Sequence, residues 1–362
     1  MMGTLRSQSP AEAQETDLAA VGSDGTDRTG FVQLAAPFRT ELMAHCYRML
    51  GSVHDAEDLV QETYLRAWRG YQDFEGRSSL RFWLYRIATT ACLTALEHRK
   101  RRFVPSGLGA PGADPDAPLK PPGADISWVQ PLPDSSPSRS IAHDPAVIVA
   151  ERGSVRLAMI AAFQQLPPRQ RAVLILRDVL AWRAAEVAEL LDTSVASVNS
   201  ALQRARVQLE QMAHDEDDII DSLDAGHRAL LDQYVRAFEN ADIVALLGLL
   251  RDEVRLEMPP QSTWFTGRAD VGRFIERQIF SDPGVMRLLP TTANGGQPTM
   301  ATYWRGADGT FQPEALQVLG LREHRVVSIT AFRDTSLFRS FGLPTQLPAD
   351  TPLSTSPWSS WL

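Results

Sequence analysis

The chain carries only two cysteines in 362 residues, Cys46 and Cys92. That is too few for a disulfide framework or a four-thiolate zinc site. Both lie in apolar, helix-like stretches, so buried thiols in a reducing compartment are expected. Long apolar runs are missing as well: Ile243 to Leu250 falls far short of the roughly 18 residues that span a bilayer. The segment Met1 to Gly30 is rich in Asp, Glu, Ser, Thr and Gly without an apolar core, which excludes a signal peptide. A cytoplasmic protein with no membrane partner is expected. An excess of positive charge is also absent. The formal net charge of −8 argues at first against a nucleic-acid partner. What is present is an ordinary globular composition, 44% hydrophobic and 22% charged, over a length that suits two or three domains.

Composition shifts divide the chain. Residues 1–29 lack hydrophobic periodicity and read as a disordered arm. Residues 30–102 are helical in pattern. The stretch 103–143 holds nine prolines among Gly, Ser and Asp, and reads as an extended linker that builds no core. Helical periodicity returns over 144–213, and an acidic hinge, 214–223, follows with Asp215-Glu216-Asp217-Asp218. Residues 224–342 begin with helical runs, Ala229–Phe238 and Ile243–Leu250. They continue with strand-like runs at Val254–Met258, Leu316–Leu321 and Val326–Phe332. A flexible Pro/Ser/Thr-rich tail, 343–362, carries Trp358 and Trp361. No internal repeat is present. Only the two helical modules are net positive, so the acidity lies in the arm, linker, hinge and C-terminal domain.

In the first module, Asp55 to Trp68 forms one amphipathic helix. Ala56, Leu59, Val60, Thr63 and Ala67 make the buried stripe, and Asp58, Gln61, Glu62 and Arg66 lie opposite. Spacing alone favours a solvated face over a docking surface. A second helix is expected from Ser79 to Arg102, after the polar turn Asp73-Phe74-Glu75-Gly76-Arg77-Ser78. Its terminal Arg99-Lys100-Arg101-Arg102 suits either the helix dipole or phosphate contacts. Tyr71, Phe74, Phe82, Trp83 and Tyr85 cluster here. Most of them suit a core, and one or two could stack on an unpaired base.

In the second module, Leu166-Pro167-Pro168-Arg169-Gln170-Arg171 opens a helix with proline in its first turn. A short helix from Ala185 to Leu191, a turn at Asp192-Thr193-Ser194 and a longer helix capped by Ser194 or Ser197 spell a helix-turn-helix. Val195, Val198, Leu202, Ala205 and Leu209 point inward. Ser197, Asn199, Ser200, Gln203, Arg204 and Arg206 point outward, residue types that pair with base edges and phosphates. An antiparallel helical hairpin has a similar pattern.

The order and wording of these modules resemble the bacterial RNA polymerase sigma-70 family, in its extracytoplasmic-function group. The carrying motifs are Asp55-Ala56-Glu57-Asp58-Leu59-Val60-Gln61-Glu62-Thr63, Trp83-Leu84-Tyr85-Arg86-Ile87-Ala88, Leu166 to Arg171 with Glu186 to Leu191, and Val198 to Arg206. The resemblance implies two all-α modules, the second a helix-turn-helix, binding core polymerase at its clamp helices and flap, and promoter DNA. It places Asp55, Asp58, Gln61, Glu62 and Arg66 on the polymerase surface. It places Asp73, Phe74, Arg77, Ser78, Arg81, Arg86, Thr90, Arg99, Arg101 and Arg102 at the −10 element, where a base is flipped into a pocket. Arg169 and the six outward residues of the second helix fall at the −35 element. Thr90 stands where such factors often carry Asn, and Asn199 and Ala201 stand where basic residues are common.

Residues 224–342 resemble the SnoaL-like, NTF2-like family, an α+β cone barrel over a curved sheet. The resemblance rests on the two opening helices, Val254 to Met258 with Pro259-Pro260, Trp264-Phe265-Thr266-Gly267-Arg268, and the closing strands. Glu257, Trp264, Tyr303, His324 and Asp334 are its candidate pocket residues, with Asn294 and Arg333 as further lining. They form no acid/base dyad at close spacing, so neither catalytic residues, cofactor nor metal are expected. A regulatory contact of this domain with the sigma modules or linker is expected instead. The competing expectation is a small-molecule-binding or isomerase/cyclase domain.

Overall fold

The computed structural model describes residues 28–119, 121–123, 125–134, 155–212, 223–354 and 358. Nearly all of the expected arm, the linker beyond 134, the acidic run 215–218 and Trp361 lie outside the described residues.

The first module comprises α1 (Arg28–Ala35), α2 (Arg39–Leu50), α3 (Val53–Gly70) and α4 (Leu80–His98). Ser52 caps α3 by accepting from the Asp55 N–H at 3.2 Å, and Ser79 caps α4 by accepting from the Phe82 N–H at 3.1 Å. Ala56, Val60, Thr63 and Ala67 are buried along α3, while Leu59 is half-buried. Helix α4 stops at His98 instead of Arg102. Arg99 is extended, and Arg102–Phe103 form β1, paired in parallel with β2 (Ser127–Trp128).

The second module comprises α5 (Leu157–Gln165), α6 (Pro168–Leu174) running into a wider turn at Ile175–Val179, α7 (Ala184–Leu190) and α8 (Val195–Met212). Gly51, which closes α2 at φ +69°, lets this module approach: a Cβ there would meet Gln164 Cδ at 3.0 Å.

The C-terminal domain opens with α9 (Ala225–Glu239) and α10 (Ile243–Leu249), followed by β3 (Leu250–Glu257), β4 (Trp264–Thr266) and α11 (Arg268–Phe274). Strands β5 (Met286–Ala293), β6 (Gln297–Arg305), β7 (Phe311–Arg322) and β8 (Arg325–Phe332) and the short α12 (Leu337–Ser340) complete it. The six strands run in the order β4-β3-β8-β7-β6-β5, with β3 and β8 parallel. Strand alternation gives each face a partner. Leu256, Met300, Leu319 and Ile329 pack under α9–α11, together with Trp358. Ala301, Tyr303, Leu316, Val318 and Phe332 belong instead to the core of the helical modules. The sheet is therefore a shared wall between two cores.

The proline-rich stretch departs from the expected extended linker. Its described part between Phe103 and Asp134 lies folded against the C-terminal domain and, around Trp128 to Gln130, against the first module. Prolines leave few backbone donors to satisfy, and several of the remaining ones find acceptors. The Ser106 N–H donates to Glu257 Oε1 at 2.8 Å and the Gly112 N–H to the Trp264 carbonyl at 2.7 Å. Asp116 pairs with Arg273 at 2.6 Å, and Val129 is fully buried.

Candidate polymerase and promoter surfaces

On α3, Asp58, Gln61 and Arg66 are exposed and Glu62 is half-buried, with Arg66 held to Glu62 at 2.7 Å one turn away. Asp55 sits apart from this face. Its carboxylate pairs with Arg102 at 2.5 Å and with Arg99, at the seam with β1. Two apolar side chains that the sequence reading passed over stand on the outer surface of the same helix, Leu65 at 49% and Trp68 at 37% exposure. Their signal was present: they lie three residues apart among polar neighbours, off the buried stripe. The surface is thus acidic and apolar together, a composition suited to a protein partner.

The turn before α4 is built on stacked aromatics. Phe74 stacks on Trp83 with ring centroids 4.7 Å apart, and Tyr71 on Phe74 at 6.2 Å. Asp73 is exposed and Ser78 half-buried, and Arg77 pairs with Glu75 at 2.6 Å. On α4, Arg86 and Thr90 are exposed, the Thr90 hydroxyl donating to the Arg86 carbonyl. Arg81 instead turns inward. It grips Glu41 through two nitrogens at 2.9 Å and lies 5.0 Å from the Tyr85 ring centroid. The last cations of this module also face the protein. Arg99 and Arg102 hold Asp55, and Arg101 donates to both oxygens of Gln165 on α5.

The helix-turn-helix is formed as spelled. Ser194 caps α8 by accepting from the Ser197 N–H, and Val198, Leu202 and Ala205 are buried. Ser197, Asn199, Ser200, Gln203, Arg204 and Arg206 are exposed on one helix, and Arg169 is exposed at the start of α6. Arg206 is bound by Asp178 at 2.6 and 2.8 Å, whereas Arg204 has no partner among the described residues. Val195, expected inward, is 43% exposed because the inward row begins at Val198.

The two modules are packed together. Trp182 stacks on Phe82 at 5.6 Å and tilts on Tyr85 at 5.1 Å, covering the start of α4. Arg171 is buried across the seam, donating to the Met49 carbonyl, to Gln164 Oε1 at 2.7 Å and to the Leu166 carbonyl at 3.1 Å. Burial foremost, then neighbouring Arg101, lowers its pKa to about 10.

The expected pocket residues do not converge. Of these residues, Glu257 lines a cavity of about 510 Å³ between the sheet, α5 and the 104–107 segment. Trp264 Nε1 donates to the Gly109 carbonyl and Tyr303 to the Pro344 carbonyl, and Asp334 caps the turn at Ser336. His324 sits at the β7–β8 turn beside Asp224, and Arg333 pairs with Glu314. Asn294 serves as a junction. Its amide nitrogen donates to the Tyr47 hydroxyl at 2.6 Å and the Val155 carbonyl at 2.7 Å, while its oxygen accepts from the Leu132 N–H. The cone interior holds Tyr234, Phe238 and Trp358, the last donating from its backbone to Asp232 at 2.9 Å.

Three family models match the chain: sigma-70 region 2 over residues 34–102, sigma-70 region 4 over 156–209, and the nuclear transport factor 2 domain over 226–301. The ECF RNA polymerase sigma factor SigG of Mycobacterium tuberculosis is 50% identical over 322 residues, 88% of this chain and 85% of its own. SigW of Bacillus subtilis is 27% identical over 193 residues, 52% of this chain and 91% of its own. The crystal structure of the Mycobacterium tuberculosis extracytoplasmic function sigma factor SigJ shares the fold, with a TM-score of 0.55 at 23% identity, covering 86% of this chain and 99% of that one. These matches define a sigma-70-type transcription factor with an appended NTF2-like domain. The chain belongs to the extracytoplasmic-function sigma factors, and its function is that of an RNA polymerase sigma factor. Among the described residues, no helix is long and apolar enough to cross a membrane.

Proposed function

We propose that the structure is the closed form of this sigma factor, held shut by its own C-terminal domain. In this reading the face of α3 with Asp58, Gln61, Leu65 and Trp68 docks on the clamp helices of core polymerase, and the second module meets the flap. The Phe74 turn and outer α4 read the −10 element, and α8 reads the −35 element. Polymerase places the protein's work in the cytoplasm.

The observation that carries the proposal is the stacking of Trp182 on Phe82 and Tyr85. Two modules that read separate promoter elements cannot remain stacked on each other while doing so. Asn294 supports the second half of the reading, since one side chain ties the sheet to the first module, the second module and the linker. A regulatory rather than catalytic role for the appended domain is supported by a cone interior filled with the protein's own aromatics.

Run-off transcription with purified core polymerase tests the proposal, comparing the full chain, Asn294→Ala and truncations near 213 and 345. More transcript from Asn294→Ala than from the full chain is expected. No transcript from any form would refute the promoter-recognition half. Equal activity in every form would refute closure by the C-terminal domain.

A further inference from the structure

The first turn of α9 meets the tip of the β7–β8 hairpin at the edge of the C-terminal domain. His227 from the helix and His324 from the hairpin stack there, with ring centroids 4.3 Å apart and planes 26° from parallel. Asp224, the N-cap of α9, touches both imidazoles. Its Oδ1 is 2.9 Å from His227 Nδ1 and its Oδ2 is 3.1 Å from His324 Nε2. One donor atom from each of the three residues lies within 4.8 Å of the others. We propose that Asp224, His227 and His324 form a binding site for a first-row divalent cation, Zn2+ foremost.

Capping does not account for the arrangement. A helix cap needs one carboxylate oxygen, and Oδ1 already accepts the His227 N–H at 2.7 Å. The second oxygen and two imidazoles exceed that need. His227 Nδ1 is buried and within contact distance of the carboxylate, yet it lacks an aligned hydrogen bond. No aligned hydrogen bond therefore holds this ring nitrogen among the described residues. The chain also makes room for the cluster. A Cβ on Gly226 would lie 2.7 Å from His324 Cδ2, so the glycine leaves the ring its observed position. The turn places Glu323 at φ +50° and His324 at φ +54°, in the left-handed region that His enters more readily than most side chains.

The donor set selects the ion. Two imidazole nitrogens and one carboxylate oxygen suit borderline cations such as Zn2+, whereas Mg2+ and Ca2+ favour all-oxygen shells. Three protein donors with Asp224 and His324 half exposed leave the fourth tetrahedral position to water. The nearby cations are turned to other partners. Arg228 donates to the Leu223 carbonyl, Arg325 to the Gly248 carbonyl, and Arg251 pairs with Glu323 at 2.9 Å. A bound ion would cross-link the start of α9, directly after the acidic hinge, to the hairpin.

Calorimetric titration of metal-stripped full-length protein with Zn2+ tests the site, with Co2+ absorption as a second readout. One equivalent of Zn2+ bound is expected, with visible Co2+ bands and no thiolate charge-transfer band. His227→Ala and His324→Ala should each weaken binding at least tenfold, at least as much as losing an outer-sphere partner does. Asp224→Asn, which keeps the cap, should also weaken it, while His54→Ala and the Cys46→Ser/Cys92→Ser double variant should not. No Zn2+ uptake by the folded wild type, unchanged uptake in both histidine variants, or a thiolate band would overturn the proposal.

Discussion

The Asn294 side-chain amide donates to the Tyr47 hydroxyl at 2.6 Å, joining a turn of the C-terminal sheet to the second helix of the first module. Both groups are buried, and each has another partner: Tyr47 donates in turn to the Gln130 carbonyl at 2.7 Å. Burial pushes the Tyr47 hydroxyl pKa well up, so this group stays a neutral donor at any working pH. Asn294→Ala takes a partner from the Leu132 N–H and the Val155 carbonyl, and Tyr47→Phe takes one from the Gln130 carbonyl, losses of about 1–3 kcal/mol where the group is left unpaired. Asn294→Ala and Tyr47→Phe should each destabilise the closed form. A double-mutant cycle from urea unfolding should show coupling of roughly 0.5–3 kcal/mol.

Trp358 is 1% exposed, with its indole N–H directed at the Met300 sulfur at 3.4 Å. Trp358→Ala should cost the C-terminal domain about 3–5 kcal/mol in denaturant unfolding. Trp358→Phe should recover most of that loss. Equal stability of wild type and the alanine variant would show that the tail does not fill the cone.

Arg204 and Arg206 differ in their commitments. Arg206 must leave Asp178 to reach a phosphate, whereas Arg204 starts without a partner among the described residues. Arg204→Ala should therefore weaken promoter binding by the polymerase holoenzyme more than Arg206→Ala does. It should also reduce the slope of log K against log salt by about one. Filter-binding or anisotropy titrations at several salt concentrations read both effects. Unchanged binding in the double variant would displace α8 from the −35 surface.

Trp68 and Leu65 give α3 an exposed apolar patch beside Glu62. Trp68→Ala should weaken core polymerase binding by roughly tenfold or more, as a truncated aromatic anchor does. Asp58→Ala should mainly slow association and alter its salt dependence. Competition for core polymerase against a labelled sigma factor measures the first effect, and stopped-flow mixing the second.

His45 gives the first module an acid-sensitive core. Its Nε2 lies 2.9 Å from the Thr89 hydroxyl, and burial foremost, with Arg48 and Arg81 adding repulsion, lowers its pKa to about 3. The unfolded chain binds this proton near pH 6.5 and the folded chain does not. The stabilising effect of neutral His45 is therefore complete above about pH 6.5 and fades as pH falls toward 3, by at most about 1.4 kcal/mol per pH unit. His45→Phe should flatten that acid limb in urea unfolding measured from pH 4 to 7.

Local signals reached far into this fold. The α3 stripe, the proline at the start of α6 and the serine caps are all rules of a few residues' range, and each element formed where they pointed. Strand β6 was not seen, because Gln297 to Arg305 is buried on both faces for most of its length and lacks the polar–apolar alternation of a half-exposed strand. The fate of Arg81, Arg99, Arg101 and Arg102 was illegible for a different reason. Their partners Glu41, Asp55 and Gln165 lie far off in the chain, and a basic run reads alike whether it meets phosphate or protein. The same holds for Asn294, whose partners Tyr47, Leu132 and Val155 come from three separate segments.

The proline-rich strand between the modules lies tacked down by Glu257, Trp264, Arg273 and Asn294. It is therefore stored slack. Peeled off the sheet, roughly 30 residues would gain an end-to-end reach of about 30 Å as a flexible coil, and more if the prolines keep them stretched. If the proposed closed form opens, the C-terminal domain would serve as a spool. The distance the two helical modules could stand apart would then be set by how much cord it lets go, so that a fastening at one end of the molecule becomes a ruler at the other.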